Sequence, residues 1–76
     1  MLSKQIPIKQ INPNLLNPNE MSLEQYNKLK DNIKQTGNYP SLVVLERKNR
    51  YLLLDGHNRL AILQELGFKE AWCEAQ

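Results

Sequence analysis

Five consecutive residues, Asp55-Gly56-His57-Asn58-Arg59, bring together a carboxylate, the single imidazole of the chain, a carboxamide and a guanidinium around one glycine. They follow Tyr51-Leu52-Leu53-Leu54, an apolar run fit for a buried strand, and precede Leu60-Ala61-Ile62-Leu63, where a helical pattern begins. A strand that turns this tightly into a helix leaves the first helical N–H groups without intrahelical partners. Together with the positive end of the helix dipole they make an anion site. Gly56 lets a ligand approach the backbone, the amides from Gly56 to Asn58 can donate, and Arg59 can fork onto phosphate oxygens. Arg59 sits one turn in, on the face it shares with Ile62, Leu63 and Leu66, which should be buried. A guanidinium there keeps its charge and needs a carboxylate or an anionic ligand beside it. The spacing predicts a phosphate-binding turn.

A structural reading stands beside it. Asp55 can cap the helix while Arg59 pairs with a loop carboxylate such as Glu20. His57 suits a general acid/base or a phosphate donor at the helix start, or is an exposed first-turn residue. It lacks a second histidine or a nearby cysteine, so no metal site is predicted. Glu20 and Glu24 flank the entry to the first helix, where they can hold magnesium through water, act as a base, or simply complement the dipole. Tyr39 and Trp72 can stack on a base or pack at the core and rim. Cys73 reads as a small buried hydrophobe. The basic link Arg47-Lys48-Asn49-Arg50 reads as a solvated hairpin tip, with a DNA contact as the alternative.

The elements that must position these groups fit one small domain, residues 1–76, which buries roughly 60% of its unfolded surface. A lone cysteine fits a reducing cytoplasm, and neither a signal peptide nor a membrane-spanning run is evident. The net charge of +2 excludes no anionic partner and is too weak to argue for nucleic acid. Ile6, Ile8 and Ile11 nearly alternate with polar residues, and Pro7 makes that run an edge strand. Asn12-Pro13-Asn14 and Asn17-Pro18-Asn19 read as an irregular loop, pinned by Leu15 and Leu16. Ser22 opens a helix with Gln25 three residues on. Leu23, Tyr26, Leu29 and Ile33 form its apolar stripe, and Gly37 stops it. Leu42–Leu45 and Tyr51–Leu54 form a hairpin joined by Arg47–Arg50. A second helix runs from about Gly56 to Leu66 and ends at Gly67, and a last strand lies near Ala71–Glu74. The predicted order is strand, helix, strand, strand, helix, strand: an α+β fold with a mixed sheet. Both hairpin runs are continuously apolar, which calls for cover on both sheet faces. Two helices leave apolar surface for self-association or for a neighbouring domain.

The pattern as a whole resembles the ParB/sulfiredoxin-like domain family over most of the chain. The resemblance rests on the Asn-Pro loop, on Lys30-Asp31-Asn32-Ile33-Lys34-Gln35-Thr36-Gly37, on Asn38-Tyr39-Pro40-Ser41-Leu42-Val43-Val44, and on the Asp55-to-Arg59 turn. Partition-protein N-domains carry a similar glycine, proline and apolar strand, then a Gly-Glu-Arg-Arg turn that binds nucleotide phosphates. Free serine kinases of the superfamily carry Asp-Gly-His-His-Arg, which is nearer to this turn, and sulfiredoxins carry Gly-Cys-His-Arg. Gly56 and Arg59 are the shared positions. The sulfiredoxin cysteine falls at His57, so sulfinic-acid reduction is not expected. Arginines of the partition proteins are replaced by Asn58 and Ala61.

The resemblance implies a nucleotide (ATP, ADP or CTP, with or without Mg2+) held by Asp55, Gly56, His57, Asn58 and Arg59, with help from Gly37, Asn38, Tyr39 and Pro40. It also implies two alternatives. One is a phosphotransferase, an ATPase or a metal-dependent nuclease using His57 or Glu20. The other is a DNA- or protein-interaction module without nucleotide chemistry.

Overall fold

The structure, a computed structural model, describes residues 2–13 and 21–76. Strand β1 (Leu2–Pro7) leads through a 3-10 turn (Ile8–Gln10) to the short β2 (Ile11–Pro13). Helix α1 (Leu23–Thr36), strands β3 (Leu42–Arg47) and β4 (Arg50–Asp55), helix α2 (His57–Glu65) and strand β5 (Glu70–Ala75) follow. One sheet has the order β1-β5-β3-β4-β2. Pairing is antiparallel for β1/β5 and β3/β4 and parallel for β3/β5 and β2/β4, the mixed sheet expected of an α+β fold.

The single N-terminal strand expected over Ile6, Ile8 and Ile11 is instead two strands on opposite edges of the sheet. Pro7, with φ −56°, ends β1 and cannot donate to a ladder. In the 3-10 turn that follows, positions three apart eclipse, so Ile8 and Ile11 point the same way. All three isoleucines are buried. This link also shapes the sheet. The two edges of a flat five-stranded sheet would lie about 19 Å apart, whereas four residues reach at most about 14 Å. The sheet therefore curls. Lys4 of β1 accordingly reaches across β5, placing its Nζ 3.2 Å from Glu46 Oε1 and 5.1 Å from the ring centre of Tyr51.

Helix α1 begins where the capping signature places it, with Ser22 Oγ accepting the Gln25 N–H at 3.2 Å. It ends on Gly37, whose left-handed φ of 72° turns its N–H onto the Ile33 carbonyl. Leu23, expected in the buried stripe, is exposed; burial grows through Tyr26 and Leu29 to a fully enclosed Ile33, so the helix meets the core by its C-terminal half. The β3–β4 hairpin is tighter than the four-residue link expected. Arg47 pairs with Arg50, and the turn is Lys48-Asn49, with Asn49 at φ 59°. Asparagine tolerates that left-handed conformation better than most residues.

The concave face of the sheet carries Ile6, Leu42, Val44, Leu53, Ala71 and Cys73 into one cluster with Ile33 of α1 and Leu60, Ile62 and Leu63 of α2. The convex face carries Val43, Leu45, Leu52, Leu54 and Trp72. The last two are 40% and 46% exposed. The apolar remainder expected from the sequence is therefore present on that face.

Candidate functional site

Strand β4 enters the turn through a slip of register. Val43 pairs with Asp55 and Val44 with Leu53, which leaves Leu54 as the extra residue of a bulge. Bulges bend a strand and re-aim the residues beyond them. Gly56 then takes φ 104°, and His57 begins α2. A side chain at position 56 is excluded twice over. A Cβ there would lie 2.5 Å from Leu42 Cδ2, and 3.1 and 3.3 Å from two guanidinium nitrogens of Arg59. The guanidinium thus lies directly over the glycine backbone.

Arg59 is held from two sides. One terminal nitrogen donates to the Ser41 carbonyl at 3.4 Å and stands 3.7 Å from Asp55 Oδ2. Its side chain is 20% exposed, consistent with a position at the end of the apolar face of α2. Both contacts are long for charge-assisted bonds. They leave Nε buried and without a hydrogen-bond partner. Both ring nitrogens of His57 are in the same condition. A buried polar nitrogen without a partner costs about 1–3 kcal/mol, so three on two first-turn residues, His57 and Arg59, are an unusual concentration.

These groups line a concavity of about 140 Å3 bounded by Asp55 to Arg59 on one side and by Met21, Gln25 and Leu29 on the other. It is smaller than the 300–1,000 Å3 typical of sites that enclose a drug-sized ligand. Its size suits a phosphate group with the rest of a ligand outside. Two roomier concavities, of about 640 and 560 Å3, lie at the β3–β4 hairpin and beside Pro7 and Phe68. Neither is lined by a buried side-chain nitrogen without a hydrogen-bond partner.

The other candidate residues are distributed differently. Asn38 donates its N–H to Thr36 Oγ1 at 3.1 Å. Tyr39 packs edge-on against Phe68, with ring centres 6.3 Å apart, and its hydroxyl accepts the Trp72 N–H at 3.0 Å. The Gly37–Pro40 loop reaches the turn through the next residue, Ser41, by way of its carbonyl. Glu20 lies outside the described residues. Among the described residues, no three His, Cys, Asp or Glu side chains group as a metal site would require. Gln25 and the Ser41 carbonyl were not singled out from the sequence. In the sequence Gln25 has the position of a capping residue, and a carbonyl has no side-chain signature.

Away from the turn, the two helices are tied by Glu65. Its carboxylate accepts from the Tyr26 hydroxyl at 3.0 Å and lies 2.9 Å from Lys30 Nζ. The Lys30 ammonium, then the Tyr26 hydroxyl, hold the Glu65 carboxyl below its usual range, and Glu65 in turn raises Lys30. Burial pushes the Cys73 thiol up to about 11.

A five-stranded curled sheet, two helices on its concave face and a glycine–arginine turn at the C-terminal end of a central strand define a ParB/sulfiredoxin-like domain. The backbone matches the crystal structure of sulfiredoxin from Arabidopsis thaliana with a TM-score of 0.84 at 22% identity, covering 100% of this chain and 85% of that one. It matches the C-terminally truncated chromosome-partitioning protein ParB from Caulobacter crescentus, complexed with CTP-gamma-S, with a TM-score of 0.83 at 20% identity. That match covers 100% of this chain and 44% of the other. A free serine kinase in complex with AMP gives 0.76 at 21% identity, over 97% of this chain and 30% of that one.

Residues 2–74 match the family model of the ParB N-terminal domain, and the chain belongs to that family. A probable chromosome-partitioning protein ParB of Campylobacter jejuni is 33% identical over 69 residues, 90% of this chain. The chain spans about a quarter of that relative's length (25%).

Proposed function

We propose that this chain binds a nucleotide, with its phosphates seated on the turn from Asp55 to Arg59. The observation that carries the reading is the trio of buried, unpartnered nitrogens: Arg59 Nε and both ring nitrogens of His57. An oxyanion in the adjoining concavity would give the guanidinium a full set of acceptors. It would also draw on the N-terminal dipole of α2. Asp55 and the Ser41 carbonyl orient the guanidinium beforehand, so little side-chain entropy remains to be lost on binding. Gly56, with no side chain, leaves the room in which the Arg59 guanidinium lies over the turn, where it can meet a phosphate. His57 can donate one N–H in its neutral form and two when protonated. The ParB of Caulobacter crescentus with CTP-gamma-S and the free serine kinase with AMP share this fold, which supports a nucleotide as the ligand class. A divalent cation would arrive with the nucleotide.

Isothermal titration of ATP, ADP, CTP and GTP against the wild type, Arg59→Ala and Arg59→Lys tests the reading. Saturable binding is expected for the wild type, with none for Arg59→Ala and at least tenfold weaker binding for Arg59→Lys, whose ammonium cannot fork. An unchanged circular dichroism spectrum confirms that the variants are folded. Equal affinity in wild type and Arg59→Ala would overturn the assignment.

A further inference from the structure

The other end of β4 carries a second concentration of charge. β4 is six residues long, so Arg50 lies about 17 Å from Asp55 along the strand. There Arg47, Lys48 and Arg50 surround the concavity of about 640 Å3, completed by Asn12 and Leu52. Arg47 and Arg50 are direct cross-strand partners. Like charges in that relation repel, their Cβ atoms being about 5 Å apart. None of the three cations is ion-paired with a described residue, whereas Lys4, Lys28, Lys30 and Arg59 each have a carboxylate beside them.

The acid next in sequence is turned away. Glu46 lies on the opposite face of β3, where Lys4 and the Tyr51 hydroxyl occupy its carboxylate at 3.2 and 3.3 Å. The two-residue turn through Asn49 holds the three cations on a short, well-defined tip. Such an uncompensated arrangement is destabilising alone and is relieved by an anion.

We propose that this hairpin tip is a contact site for the phosphodiester backbone of a nucleic acid, separate from the nucleotide turn. Two guanidinium forks and one ammonium match successive phosphates, and the Asn12 carboxamide adds a neutral donor. The concavity is open and lies at a sheet edge, so it suits a chain passing over it. The tip itself, Lys48-Asn49, is polar and offers nothing to insert into a bilayer. Leu52 alone gives the floor an apolar element. Backbone contacts of this kind carry no base preference.

Fluorescence anisotropy of labelled single-stranded and duplex 20-mers of arbitrary sequence, with the chain as it stands, tests the proposal. About three phosphate contacts predict an affinity that falls about 20-fold (single strand) to 40-fold (duplex) between 50 and 200 mM salt. The variant Arg47→Ala/Lys48→Ala/Arg50→Ala should bind at least tenfold more weakly at 50 mM and lose most of the salt slope. A charge-matched control, Lys9→Ala/Lys34→Ala/Lys69→Ala, should keep both. The proposal is overturned by absence of binding at 50 mM salt, or by equal weakening in both triple variants. Binding to anionic phosphatidylserine vesicles without binding to either oligonucleotide would also overturn it.

Discussion

The guanidinium of Arg59 lies over the bare backbone of Gly56, so closely that a methyl group at position 56 would stand 3.1 Å from one of its terminal nitrogens. The two residues form one device: the glycine makes the room, and the arginine three positions on fills its upper half. Replacing either alters the other. Gly56→Ala also meets Leu42 and an unfavourable φ of 104°. It should therefore destabilise the domain by about 1–3 kcal/mol and abolish nucleotide binding. Urea denaturation with nucleotide titration checks both. A variant that binds normally would show that the close approach is dispensable.

The Tyr26–Glu65–Lys30 tie predicts a specific pH dependence. The Glu65 carboxyl is held below its ordinary value in the folded state, so its contribution is complete above the unfolded value and is lost as pH falls through the folded one. Lys30 is raised, and its contribution persists until pH climbs through its folded value. Thermal melts of wild type and Glu65→Gln should differ at neutral pH and converge in acid, below the ordinary carboxylate range. A constant difference down to the lowest pH would place the effect in packing.

Much of this architecture is legible in the chain. Ser22 with Gln25, and Gly37 with its left-handed turn, mark both ends of α1. Asp55-Gly56 marks the end of β4 and the start of α2. The split of the N-terminal strand was not legible. A period-two strand places Ile6 and Ile8 on one face but not Ile11, whose three-residue offset from Ile8 fits the 3-10 turn; a run that only nearly alternates does not show where the chain leaves one edge for the other. The bulge at Leu54 was hidden for a related reason, since a run of three leucines carries no mark of register. The far wall of the concavity, Gln25 and Leu29 of α1 with Met21 just before it, comes from a part of the chain about thirty residues away and depends on how α1 leans. Tyr39 reads either as a base-stacking or as a packing residue, and its ring and hydroxyl are engaged against Phe68 and β5.

Cys73 is enclosed in the core with its thiol raised to about 11 by burial. The thiolate is the reactive form, so labelling by a thiol reagent at pH 8 should be slow in the native state. The rate should rise with urea in step with unfolding. Rapid labelling without denaturant would show that β5 opens locally.

The most direct test of the nucleotide site uses the single histidine as its own reporter. Nitrogen-15 NMR of the imidazole during titration with ATP, ADP, CTP and GTP follows the two nitrogens that lack partners. The account predicts saturable shifts of the His57 ring signals, with accompanying amide shifts from Asp55 to Arg59, and their disappearance in Arg59→Ala. Saturable nucleotide binding with unmoved His57 and turn signals would contradict it and place the ligand elsewhere on the domain.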